Sequence, residues 1–175
     1  MLSVAATARG LDEELQMTDA ATDATTDAAT DEVAADVEAH RINRAMMDRD
    51  LASAALGMVV ERDDPGHAVV SMRVRDDMTN GFHITHGGLV FTLADTAFAI
   101  ACNEDDNVTV AAGADITFLK STVAGQTLTA TAVRRARSGR TGLYDVTVVD
   151  DHGDTVAEFR GRSISTNRPF TAPIA

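Results

Sequence analysis

From Gly87 to Cys102 the chain reads GGLVFTLADTAFAIAC, a stretch of helical length with apolar residues on nearly every side and Asn103 as its expected stop. A helix that is apolar all round has to be buried on every side, so the rest of the chain must wrap this segment. Strand-like segments before and after it supply the wrapping. Residues 57–62 and 67–75 read as a hairpin about the turn Asp63-Asp64-Pro65-Gly66, because Val70, Met72 and Val74 alternate with Val69, Ser71 and Arg73. Four further strands are expected over 108–120, 127–137, 142–149 and 154–165, with turns at Ala124-Gly125, Ser138-Gly139 and Asp151-His152-Gly153. One buried helix set between a hairpin and a strand meander implies an α+β fold, an antiparallel sheet curled around a helix. A preceding helix over 37–51, with Val37, Ile42, Ala45, Met46 and Arg49 on one stripe, is expected to cap an open side of the core.

The 175 residues suffice for one ordinary domain. The segment 18–35 is almost entirely Ala, Thr and Asp. It has too little apolar surface to offset its ordering entropy, so residues 1–36 are expected to form a disordered acidic tail, 37–167 the folded domain and 168–175 a short C-terminal tail. Net charge is -12, and residues 1–38 carry ten acids against Arg9 alone. The acidic balance argues against nucleic acid or an anionic membrane as partner. Lys120 is the only lysine beside 14 arginines, a bias of salt-adapted or GC-rich sources. The longest apolar run, 89–102, is broken by Thr92, Asp95 and Thr96 and falls short of the roughly 20 residues that span a bilayer. With no secretory leader pattern and a single cysteine, Cys102, a cytoplasmic location is expected.

Asp95 is the anomaly: a carboxylate in an otherwise apolar helix is strongly destabilising unless it is paired or faces a cavity where it works. Gly87 and Gly88 open the same helix with backbone N–H groups that no side chain obstructs, at the positive end of the helix dipole. Such a site can hold a developing oxyanion. Gly88 and Asp95, seven positions apart, share one helix face but are separated by about 10.5 Å along the axis. A base must approach its proton to about 3 Å, so one reacting carbonyl cannot meet both within a single helix. If both serve one reaction, Asp95 comes from a second, antiparallel copy, and the active sites lie in a dimer interface.

The same residues carry a resemblance. Asn80, His86-Gly87-Gly88 and Asp95, together with TLADTAFAIACN, DITFLK, LTATA, GLYDV and VAEFRGRS in order, resemble the PaaI group of hotdog-fold acyl-CoA thioesterases from phenylacetic acid degradation. The resemblance extends over residues 39–165. It implies a hotdog fold, dimers pairing into tetramers, and hydrolysis of acyl-CoA, with aryl-acyl-CoA such as hydroxyphenylacetyl-CoA the favoured substrate and short or medium acyl-CoA the other, with no cofactor and no metal. By resemblance, Asp95 is the catalytic carboxylate, as general base or nucleophile, and Gly87 supplies the N–H that polarises the thioester carbonyl. Asn80 and His86 position water and thioester. A hydroxyl residue found in some relatives is replaced here within Ala111-Ala112-Gly113, with Thr96 as a substitute.

Other readings compete at several positions. His83 and His86 are spaced as an HxxH pair, but neither Cys102 nor His152 is placed to complete a zinc site. Cys102 is expected to be a small buried hydrophobe. Arg134, Arg135, Arg137 and Arg140 form the dense basic cluster; pairing with the many acids is the first reading, and contact of Arg135 and Arg137 with coenzyme A phosphates, beside Gly88 and Thr96, the functional one. The alternative to the enzyme is a non-catalytic acyl-CoA binding module on the same fold, which has no need of Asp95. A hotdog dehydratase needs a catalytic Asp and His on one element at a different spacing. Deleting residues 1–36 is expected to leave oligomeric state and activity unchanged, as gel filtration and a thioesterase assay on the truncated chain will show.

Overall fold

The computed structural model describes residues 36, 37 and 39–170. Of the two expected tails, all but Asp36 and the residues Arg168, Pro169 and Phe170 lie outside the described residues. Helix α1 covers 39–47 and α2 covers Leu51–Ala55. After them come β1 (Val59–Asp64), β2 (His67–Arg73), a single 3₁₀ turn (Asp76–Met78) and α3 (Gly87–Cys102). The chain ends in β3 (Asn107–Phe118), β4 (Thr127–Ser138), β5 (Thr141–Val149) and β6 (Thr155–Pro169). Among the described residues no helix is long and apolar enough to cross a membrane.

The strands form one antiparallel sheet in the order β1-β2-β4-β5-β6-β3, with α3 packed on its inner face. Period-two alternation puts Ala68, Val70 and Met72 of β2, Leu128, Ala130 and Ala132 of β4, and Tyr144, Val146 and Val148 of β5 into the core. The alanines among them leave room for the helix backbone to approach. Register breaks at Val60/Arg62, Ala111/Gly113 and Arg134/Ala136 bend the strands, and bulges of this kind curl a sheet around its contents. In the first hairpin Asp64 pairs with His67 across Pro65-Gly66, and Gly66 takes φ +74°, the conformation a tight turn with Pro at its first corner requires.

Two expectations change. The helix expected over 37–51 is two helices, because the Asp50 side chain accepts the backbone N–H groups of Ala52 (3.1 Å) and Ser53 (3.0 Å) and so starts α2 anew. Nor is α3 buried on every side within one chain. Val90, Leu93, Ala94, Ala97, Phe98 and Ala101 are buried, whereas Gly88 is exposed and Thr92, Asp95 and Ala99 are half-buried. Those last four residues form one stripe, on the side the sheet does not reach. The helix stops where expected: Asn103 donates to Ala99 O (2.9 Å) and Thr109 O (3.0 Å) and accepts from Thr109 N (2.9 Å), tying the end of α3 to β3.

A tight contact against the central helix is at Gly161 of β6, where a Cβ would lie 2.8 Å from the ring of Phe98. Phe98 is 1% exposed and held edge-on by Tyr144 (centroids 5.4 Å apart) with Phe159 on its other side (5.9 Å), so it has no room to retreat. Gly161→Ala is therefore expected to destabilise the fold by about 1–3 kcal/mol, the usual cost of overpacking a core, as urea unfolding will measure.

Candidate active site

Asp95 projects from the open stripe of α3 into a cavity of about 510 Å³. Its walls are Phe98, Ala99 and Cys102 of α3, Met46, Arg49 and Asp50 at the turn between α1 and α2, the first half of β3, and Arg168 with Phe170 from the chain's end. Among the described residues the Asp95 carboxylate has neither a hydrogen bond nor an ion pair, and burial raises its pKa above the ordinary carboxylate value. An unpaired, partly desolvated carboxylate facing a cavity is a candidate site group. Desolvation moves a general base towards the pH at which it must operate.

The start of α3 is built differently from the expectation that both glycines present free donors. His86 is the N-cap, and its Nδ1 accepts the Gly88 N–H at 3.0 Å. That bond removes Gly88 as an oxyanion donor and fixes the neutral imidazole proton on Nε2. The Gly87 N–H has no partner among the described residues and remains open, beside the half-exposed ring of Phe118, which would lie 3.2 Å from a Cβ at Gly87. Asn80 Oδ1 accepts the Phe82 N–H (2.9 Å), and Asn80 O accepts from His83 N (2.9 Å). Its side chain thereby shapes the loop that carries His83 at φ +59° and His86, leaving the Nδ2 group as its free donor.

Three expected contacts with substrate fall elsewhere. Thr96 is buried, and its hydroxyl meets Ser53 Oγ at 3.1 Å, while Ser53 in turn donates to Asp50 Oδ2 (2.6 Å). One position along the helix from Asp95, Thr96 faces α2 and not the cavity. Arg137 is engaged by Glu104 (2.7 Å) and Asp105 (2.6 Å), and Arg135 by Asp145 (3.4 Å). Arg134, Arg135 and Arg137 of the basic cluster are thus paired with acids, among them the buried Glu104. Cys102 lies on the cavity wall, and burial pushes its thiol up to about 12, so it behaves as a small hydrophobe. The parts of the cavity that sequence reasoning missed are Met46, Arg49 and Phe170. Met46 and Arg49 lie on the helical stripe of the sequence, but none of the three carries a signal that points to this cavity, since each acquires its place there only through packing.

One chain therefore holds an open N–H at the head of α3 and an unpaired carboxylate two turns further on. Comparison with known proteins gives this arrangement its family. The thioesterase superfamily model matches residues 82–157. The acyl-coenzyme A thioesterase PaaI of Escherichia coli is 47% identical over 119 residues, which cover 68% of this chain and 85% of the relative. The chain belongs to the PaaI group of the thioesterase superfamily. The structure of the E. coli PaaI protein, from the phenylacetic acid degradation operon, superposes with a TM-score of 0.75 at 42% identity and covers 77% of this chain and 97% of that one. A Streptococcus mutans protein bound to acetyl-CoA superposes with a TM-score of 0.61 at 26% identity, over 64% of this chain and 90% of that one. The hotdog architecture is that of the group.

Three measurements probe the carboxylate. Asp95→Asn is nearly isosteric and is expected to keep the fold while lowering turnover by about 10² to 10⁴. Because the folded state raises the Asp95 pKa, ionising it costs stability as pH rises from the unfolded value through the folded one. At neutral pH the Asn variant should therefore melt no lower than wild type. For wild type, kcat/KM should fall on acidification at a pH above the ordinary carboxylate range, where the base becomes protonated.

Proposed function

We propose that this acyl-CoA thioesterase works on aryl-acyl thioesters of the hydroxyphenylacetyl-CoA kind, at sites shared between two subunits, with Asp95 as general base. The observation that carries the reading is Asp95 itself, a partly buried carboxylate without a partner, facing a cavity from a helix that otherwise holds no charge. A module that only binds acyl-CoA gains nothing from that cost.

Two surfaces support the pairing of subunits. The stripe of Gly88, Thr92, Asp95 and Ala99 leaves the central helix open on one side. Beside it, β3 is an edge strand of 12 residues with no strand on its outer side among the described residues, and its Val110 is 44% exposed. A long exposed edge of this kind invites pairing with another strand. A two-fold copy set against both surfaces aligns the helices antiparallel and brings Gly87 of the partner subunit level with Asp95, closing the gap of about 10.5 Å that one helix leaves.

In that setting the thioester carbonyl oxygen lies on the Gly87 N–H of one subunit, with the His86 Nε2–H and the Asn80 Nδ2 group as the adjacent donors. Asp95 of the other subunit takes a proton from water as the water oxygen attacks the carbonyl carbon. The tetrahedral oxyanion is held by the N–H and the helix dipole. Its collapse breaks the C–S bond, and the departing thiolate of coenzyme A receives the proton from Asp95, giving the free acid and the thiol. The ligands fit the relatives, of which one is named for acyl-CoA hydrolysis and another holds acetyl-CoA.

The shared site is tested by mixing two inactive proteins, Asp95→Asn and Gly87→Val, under conditions of subunit exchange. A hybrid dimer carries one site with both defects and one with neither, so activity should return to about half of wild type per hybrid. Circular dichroism must first show that Gly87→Val is folded; the Phe118 ring its side chain meets is half-exposed and free to turn. Demonstrated exchange without recovery of activity would place base and donor in one chain.

A further inference from the structure

The cavity at Asp95 extends in one direction. Its helical lining steps from Asp95 through Phe98 and Ala99 to Cys102 and Asn103, towards the C-terminal end of α3 and about 10 Å beyond the carboxylate. In the two-fold pairing above, the α3 helix of the partner subunit begins level with Asp95 and runs the other way. In that pairing the partner's helix does not cover this stretch, whose surface beyond the carboxylate is mostly apolar, from Met46, Phe98, Ala99, Cys102 and Val110, with Arg49 and Arg168 also in the lining. The reacting carbonyl has to sit at Asp95, so a mostly apolar groove leading away from it suits the acyl group.

The far end of the groove is formed by a residue that lies beyond both the family match at 82–157 and the stretch of sequence resemblance. Strand β6 continues to Pro169, which pairs with Asn107 at the very start of β3. The Phe170 N–H then donates to Asp106 O at 2.7 Å. Asp106 lies three positions past the Asn103 cap of α3, so these two contacts anchor Phe170 beyond the end of the helix, where its ring lines the cavity opposite the Asp95 end. Resting on the proposed thioesterase reading, we propose that Phe170 is a specificity-determining residue that closes the acyl pocket and sets the longest acyl group the enzyme accepts.

The test is kcat/KM over acetyl-, butanoyl-, phenylacetyl-, octanoyl- and dodecanoyl-CoA for wild type, Phe170→Ala and Phe170→Trp. Phe170→Ala should raise the ratio of dodecanoyl-CoA to phenylacetyl-CoA hydrolysis about tenfold, in line with what a few methylene groups contribute to discrimination in an apolar pocket. Phe170→Trp should lower the ratio of octanoyl- to butanoyl-CoA hydrolysis. Should Phe170→Ala fail to fold, the Trp variant decides alone. A uniform loss across the series, or an unchanged profile, would overturn the role of Phe170 while leaving the enzyme's activity established by wild type. Folded wild type inactive on every member would instead remove the thioesterase reading, and this proposal with it.

Discussion

The close approach of one apolar helix to a sheet lined by small residues is the constraint on which the rest of this structure depends. Ala68, Ala130, Ala132, Ala157 and Gly161 face α3, and Phe98 fills the space over Gly161 against Tyr144 and Phe159. A larger side chain at any of them would push the helix away from the sheet. Because the curled sheet covers only one side of α3, the other side is left as a stripe, and the polar residues Thr92 and Asp95 fall on it. Packing on one face thus decides which residues are available for chemistry on the other.

Charge is organised around the same helix. The arginines near its C-terminal end are taken up by acids: Arg134 and Arg137 by the buried Glu104, Arg137 also by Asp105, and Arg160 by Asp145 at 2.7 Å. Lys120 bridges Asp150 and Asp154 at 2.6 Å each, and the Lys120 bond holds the Asp150 carboxyl at about 2. Asp145 is likewise held below the ordinary value by Arg160. Asp95 moves the opposite way, since desolvation acts on it and no ion pair among the described residues offsets it. A carboxylate that could rest in an ion pair has little reason to take a proton from water. The contrast between these paired acids and the half-buried, unpaired Asp95 is what suits Asp95 to the proposed role of base.

The N-terminus of α3 shows how a capping interaction selects a donor. A helix start offers several unbonded N–H groups, and two glycines in succession leave both equally accessible in the sequence. His86 resolves the choice by accepting the Gly88 N–H, which leaves Gly87 to face solvent or substrate. The same bond presents His86 Nε2–H outward, so one residue caps the helix and supplies a second donor. Asn80 acts at one remove, by holding the loop that sets the His86 backbone at φ -64° and ψ 124°.

Much of this was legible in the sequence, because it depends on local chemistry. An all-apolar run of helical length demands wrapping, alternating segments supply strands, Pro65-Gly66 demands a turn, and a lone Asp95 in such a run demands a purpose. Helix geometry alone separates Gly88 from Asp95 by more than one carbonyl can bridge. What the sequence did not contain were properties that depend on which residues meet in space. Thr96 and Asp95 are neighbours, yet 100° of helical rotation sends one to Ser53 and the other to the cavity. Arg135 and Arg137 read first as salt-bridge partners and second as phosphate ligands, and which acids hold them shows only when Asp145 and Glu104, distant in the chain, are found beside them. Phe170 looks like part of a tail; only the pairing of Pro169 with Asn107 carries it to the cavity that holds Asp95. Periodicity fixes which face a residue occupies, but which residue faces it across a packed interface is settled by long-range pairing, and that is a property of the fold.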